Sequence, residues 1–180
     1  MRMGGDARHP LSSFFMNRTS TMFQHLLLCT HGTPGARVAE DYFYNELWPG
    51  LTQARATVLT VVNQDWDVMV GDDWLNSSAT RNTFRNHVDQ QLAEEIEADW
   101  QRIRTTHPRA SNCDFKRVFG PVEATIVEVA RRLSCDLIVI GPYQKKQGPG
   151  FKARLQNKVL HPLLTAPLLV APGDLHGKNH

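Results

Sequence analysis

Short, continuous apolar runs that alternate with segments of helical periodicity leave this chain few folds to choose from. Leu26, Leu27, Leu28 and Cys29 form the first run, closed by the loop signal Thr30 to Gly35, and an unbroken apolar run of this length fits a strand buried on both faces. Val38, Tyr42, Phe43 and Leu47 then recur at helical spacing until Pro49-Gly50, so Ala36 to Trp48 is predicted helical. Ala56 to Val62 is a β-branched strand. Phe84, Val88, Leu92, Ile96, Trp100 and Ile103 fall on one stripe of a long helix, which His107-Pro108 ends. Cys113 to Phe119 alternates as a strand, and Gly120-Pro121 opens a helix whose inward face is Val122, Ile126, Val129, Ala130 and Leu133. Asp136 introduces the apolar strand Leu137 to Ile140; Phe151, Leu155 and Val159 mark a helix ending near Pro162; Leu168 to Ala171 is the last strand. Strands that alternate with helices need crossover connections, and these are right-handed and build a parallel sheet. The expected fold class is α/β, a doubly wound five-stranded parallel sheet with helices on both faces.

At 180 residues and 41% hydrophobic, the chain suits one core. A single domain over 22–172 is expected, with residues 1–21 a disordered leader and 173–180 a flexible tail. Lys and Arg number 20 against 18 Asp and Glu, a formal charge of +2. That balance gives no general pull toward nucleic acid or an anionic membrane. No apolar run approaches the roughly 20 residues that a membrane helix needs. Cys29, Cys113 and Cys135 are too few and too widely spaced for a disulfide scaffold, which predicts a reducing compartment, the cytoplasm.

In doubly wound sheets ligands meet the carboxyl ends of the strands where chain order reverses. Here that rim carries Thr30 to Gly35, Asn63 onward and Gly141 to Gly150. The candidate nucleotide- or anion-binding residues are Thr30, His31, Gly32, Val62, Gly141, Lys146, Gly148, Gly150, Lys152 and Arg154. Gly148 and Gly150 precede a predicted helix start surrounded by Lys145, Lys146, Lys152 and Arg154, where free amides and the dipole favour an anion. A solvated basic loop is the competing reading.

Four segments together resemble the universal stress protein family: Gln24-His25-Leu26-Leu27-Leu28, Gly120-Pro121-Val122-Glu123-Ala124-Thr125-Ile126, Cys135-Asp136-Leu137-Ile138-Val139-Ile140-Gly141, and Lys158-Val159-Leu160 with Ala166-Pro167-Leu168-Leu169-Val170. They span nearly everything from Phe23 to Pro172. The resemblance implies an adenine nucleotide alpha hydrolase-like, Rossmann-like domain acting in the stress response as a homodimer, paired through the edge strand Leu168, Leu169, Val170 and Ala171. Some members of the family bind ATP. That branch places an aspartate at the end of the first strand, where this chain has His31, and a Gly-x-x-Gly after the fourth, where Gly141 matches but Gln144 stands at the second position. Ala153-Arg154 occupies the place of a glycine followed by a hydroxyl residue. With close backbone approach and hydroxyl donor both replaced, ATP is not expected as a cofactor.

His31-Gly32 also resembles the turn of nucleotidylyl transferases, but their His-x-Gly-His pattern lacks its second histidine here. Asp65, Asp67, Asp72 and Asp73 share one loop without calcium-loop spacing. With Trp66, Met69 and Trp74 among them, that segment equally suits a cover for the second helix or a partner. His176 and His180 lie in the predicted tail, and none of these is read as a metal site. Cys29 and Cys135 flank buried strands, where packing is the expected role. Three function classes follow: a dimeric regulatory or interaction module, which is preferred; a nucleotide- or anion-responsive switch using Gly141 to Lys152; and an enzyme using His31 or the basic loop.

Overall fold

The computed structural model describes residues 23–51, 53–63, 78–142 and 155–173. Its elements are β1 (His25–Cys29), α1 (Pro34–Tyr42), β2 (Arg55–Val62), α2 (Ser78–Thr106), β3 (Asp114–Phe119), α3 (Val122–Arg132), β4 (Leu137–Ile140), α4 (Asn157–Leu160) and β5 (Leu168–Val170). All strand pairs are parallel, in the order β3-β2-β1-β4-β5. The chain therefore runs outward from β1 to β3, returns to the other side of β1, and places its switch point between β1 and β4.

Side-chain alternation along the central strands divides the core. Leu26 and Leu28 of β1 pack with Val58, Val139, Ala39, Phe43, Trp100 and Ile103 on the face covered by α1 and α2. Leu27 points the other way, packing with Leu59, Ile138, Ile126, Val129 and Leu160 under α3 and α4. Successive residues of a strand face opposite sides, so an unbroken apolar run such as Leu26 to Cys29 of β1 must be covered on both faces. The ring of Trp100 stacks on Phe115 of β3 with centroids 4.7 Å apart. Asp136 joins the entries of the two innermost strands: its carboxylate accepts the backbone N–H groups of Gln24 at 2.7 Å and His25 at 3.2 Å.

Two predicted helices differ from expectation. The first starts at Pro34, capped by Thr33, whose hydroxyl accepts the Ala36 N–H at 3.2 Å. It is α-helical only to Tyr42, then widens into a π turn over Phe43–Leu47 and tightens into a 3-10 turn over Trp48–Gly50. The widening falls where the neighbours Phe43 and Tyr44 both turn into the core, edge to face at 5.0 Å.

The helix expected over Phe151, Leu155 and Val159 is corrected to the single turn of α4. Leu155 and Gln156 lie outside it, and Phe151 falls outside the described residues. Gln156 is extended, and its N–H is taken by the buried carboxylate of Glu123 on α3 at 2.5 Å, which anchors the chain before the turn begins. Leu160 is the buried residue, while Val159 is 45% exposed.

The expected leader and tail, the segment carrying Asp65 to Trp74, and the side chains of Phe84 and Val88 lie outside what is described. No described helix is long and apolar enough to cross a membrane.

Candidate functional site

The turn from β1 into α1 is the centre of the rim. Thr30 follows β1, donates its backbone N–H to Leu59 at 2.9 Å and is almost wholly buried. Its hydroxyl donates to the carboxylate of Glu40, a residue of α1 with no exposed surface. The other oxygen of Glu40 accepts from Nη2 of Arg102 on α2 at 2.7 Å, and Arg102 turns its Nε to Asp99 Oδ1 at 2.9 Å. Thr30, Glu40, Arg102 and Asp99 thus form one chain of hydrogen bonds from the end of β1, through α1, to α2. Burial opposes the Arg102 charge, but the Glu40 and Asp99 carboxylates outweigh it and hold the guanidinium protonated above its ordinary range. A buried carboxylate demands such a partner, since an unpaired one is costly.

Two clefts adjoin this chain of hydrogen bonds, and His31 and Val61 line both. The first, of about 100 Å³, lies at the switch point between the ends of β1 and β4, where Thr30, His31, Gly141 and Pro142 meet the apolar wall of Val61 and Ile126. It is smaller than the ~300 Å³ at which ordinary small-molecule sites begin. The second, of about 270 Å³, lies between the β1–α1 turn, the end of β2 and α2, and includes His31, Gly32, Val62, Asp99 and Arg102.

Of the sequence-predicted site residues, Thr30, His31 and Gly141 therefore meet in the first cleft, and His31, Gly32 and Val62 in the second. Lys146, Gly148, Gly150, Lys152 and Arg154 lie outside the described residues, as do Gln144 and Ala153. Two glycines have local packing roles. Gly32 has φ +72°, a conformation that favours glycine, and the Asp99 carboxylate occupies the space next to it. Gly141 lets the end of β4 lie against α1: a side chain there would collide with the Gly35 carbonyl.

Glu40, Arg102 and Asp99 are not apparent from motif reading. The available signal was positional. Ala36, Glu40 and Phe43 fall at i, i+4 and i+7, which puts a carboxylate on the inward stripe of an otherwise apolar helix face.

The cysteines have the environment of packing residues. Part of Cys29 faces the first cleft, yet the packing around its sulfur pushes the thiol well above its usual range, with Cys135 adding to the effect. Burial, then Asp136, pushes Cys135 up to about 11. Cys113 is raised by burial while accepting a hydrogen bond from the Tyr44 hydroxyl at 3.7 Å. The His107 ring stacks on Tyr44 at 4.7 Å. His107 Nε2 lies 3.3 Å from Asp41, too poorly aligned for a hydrogen bond.

β5 forms one edge of the sheet. Along it Leu168 and Leu169 are partly buried and Val170 is 48% exposed. Ala171, expected at the same interface, is instead buried in the chain's own core, its N–H donating to Ile140 at 2.9 Å.

No protein-family profile and no curated protein matches the chain, whereas solved structures do. The hypothetical protein MJ0577, whose structure served to assign its biochemical function, superposes with a TM-score of 0.63 at 17% identity, covering 83% of this chain and 96% of that one. A universal stress protein from Lactobacillus plantarum superposes at 0.55 and 19% identity, covering 83% and 97%. A universal stress protein family member from Arabidopsis thaliana, solved with AMP bound, gives 0.53 at 9% identity over 82% and 90%. The chain has the fold of the universal stress proteins, across nearly the full length of those structures.

Proposed function

We propose that this chain is a universal stress protein-like regulatory or interaction module, working as a homodimer in a reducing cytoplasm and lacking the ATP site used by the nucleotide-binding branch. The observation that carries this reading is the state of the β1 carboxyl end. His31 stands where that branch has an acid, and the nearest buried carboxylate, Glu40, is already held by Thr30 and Arg102. A ribose or adenine reaching for it would have to displace a buried ion pair, and breaking such pairs costs several kcal/mol. The packing of Gly141 on the Gly35 carbonyl supports the same reading, because it gives that glycine a purpose independent of phosphate. Homodimerisation through β5 is supported by the exposure of Val170 on an edge strand.

A second reading, a nucleotide- or anion-responsive switch using residues 141–152, is favoured by the position of the first cleft at the switch point and by the AMP held in the Arabidopsis structure. A thermal-shift panel of nucleotides with the purified protein separates the two. The module reading expects no rise in Tm with ATP, ADP or AMP at millimolar concentration. A rise that saturates with one of them would install the switch in its place.

A further inference from the structure

One wall of the first cleft is a short stretch of chain with little of its own to hold it. Leu155 and Asn157 line the cleft beside Val122 and Ile126 of α3, and Gln156 lies between them. Gln156 to Val159 are all exposed, and the single turn of α4 has no side-chain cap. A turn this short is not stable alone, since isolated helices need about 12–15 residues. Its place is therefore set by contacts outside it. Two are apolar: Leu160 is wholly buried in the core under α3, and Leu155 is partly buried against the same core. The third is polar. Glu123, a buried carboxylate on the first turn of α3, accepts the Gln156 N–H at 2.5 Å, and a charged acceptor makes such a bond stronger than a neutral one does. Glu123 itself does not line the cleft; it holds the residues that do.

From this arrangement we propose that residues 155–159 are a strap over the first cleft, with Leu160 as its hinge and the Glu123 carboxylate as its catch. In the latched state the cleft measures about 100 Å³, below the ~300 Å³ of ordinary small-molecule sites. Release of Gln156 swings Leu155 and Asn157 off the cleft and enlarges it, while Leu160 stays in the core. The released carboxylate has lost a donor in a buried place, a cost that drives the strap to close again. The small volume of the cleft is then the closed form of a larger one. Catch and strap belong to one chain, so the device depends neither on dimerisation nor on whether nucleotide binds.

Cys29 lines the same cleft and reports on it, while Cys135 is buried away from it. The test is the rate at which methyl methanethiosulfonate labels each cysteine of the intact protein, read by peptide mass spectrometry at increasing sub-denaturing urea. Opening of the strap exposes little surface and depends weakly on urea, whereas unfolding of the whole chain depends on it steeply. Cys29 should be labelled with the weak dependence and Cys135 with the steep one. Glu123→Ala should raise the Cys29 rate about 10- to 100-fold and keep its weak dependence; Glu123→Gln, which retains an acceptor oxygen, should fall between. Hydrogen exchange in the parent protein decides the matter even if Glu123→Ala fails to fold: the Gln156 amide should exchange faster than the Ala171 amide, which is bonded to Ile140 of β4, and with weak urea dependence. Equal Cys29 rates in the parent and Glu123→Ala, Cys29 and Cys135 labelled with the same steep dependence, or a Gln156 amide that exchanges only on global unfolding would each overturn the proposal.

Discussion

Arg102 holds the charge of a carboxylate that has no access to water. Glu40 lies fully buried on α1, and among the described residues its hydrogen-bond partners are Arg102 and the Thr30 hydroxyl. Removing one member of a buried ion pair costs about 3–5 kcal/mol. Urea unfolding of Arg102→Ala should show a loss of that size, whereas a loss below about 1 kcal/mol, typical of a surface pair, would mean that the pair is not the one described. Glu40→Gln, which removes the charge and keeps hydrogen-bonding capacity, should cost less. The thiols set a pH dependence of known sign. The Cys135 thiol rises from 9.0 to about 11 on folding, so between those pH values the unfolded chain gives up the proton first. Its contribution is complete below pH 9 and is lost as the pH climbs toward 11. Chemical unfolding at pH 8 and at pH 10.5 should therefore show lower stability at the higher value, with a smaller difference in Cys135→Ala; identical pH dependence in the two proteins would contradict the assignment.

At the scale of elements, the strands were legible because the signal for them is local. The runs Leu26 to Cys29 and Leu137 to Ile140 occur as central strands almost where their hydrophobicity places them. α3 likewise buries the predicted Val122, Ile126, Val129 and Ala130. α4 was misread because its length is decided by a tertiary contact. Glu123, 33 residues away, takes the Gln156 N–H, and no periodicity in residues 151–159 records that. The site was legible only in part, for a related reason. Thr30, His31, Gly32, Val62 and Gly141 are brought to the rim by topology, which the order of elements foretells. Glu40, Asp99 and Arg102 join it by packing between helices, which short motifs do not encode. The junction of β4 with α1 supplies a prediction of its own. Gly141→Ala drives a methyl group into the Gly35 carbonyl, and overpacking of this kind costs about 1–3 kcal/mol. A thermal melt indistinguishable from the parent protein would show that the junction yields more readily than its geometry implies.

The whole molecule combines an edge strand that carries an exposed apolar residue, Val170, with a rim where Thr30, Glu40 and Arg102 are bonded to one another. The β5 edge predicts a dimeric mass by light scattering at micromolar concentration. Val170→Asp, which places a charge on the exposed apolar position, should shift that mass to the monomer while leaving circular dichroism unchanged; a parent protein that is monomeric throughout would remove β5 as an interface. The central claim, a proposal, concerns the rim itself: that the fold is kept without the ATP chemistry of the family's nucleotide-binding branch. By the resemblance, three departures separate the chain from that branch: His31, Gln144 and the pair Ala153-Arg154. Each lost hydrogen bond to a charged group is worth about 1.5 to 3 kcal/mol, and about 1.4 kcal/mol is a tenfold change in affinity, so the proposal expects them together to move a micromolar site to millimolar. Calorimetric titration with Mg-ATP at physiological ionic strength measures this directly. The account predicts no saturable binding in the micromolar range, and a low-micromolar dissociation constant with one ATP per chain would contradict it.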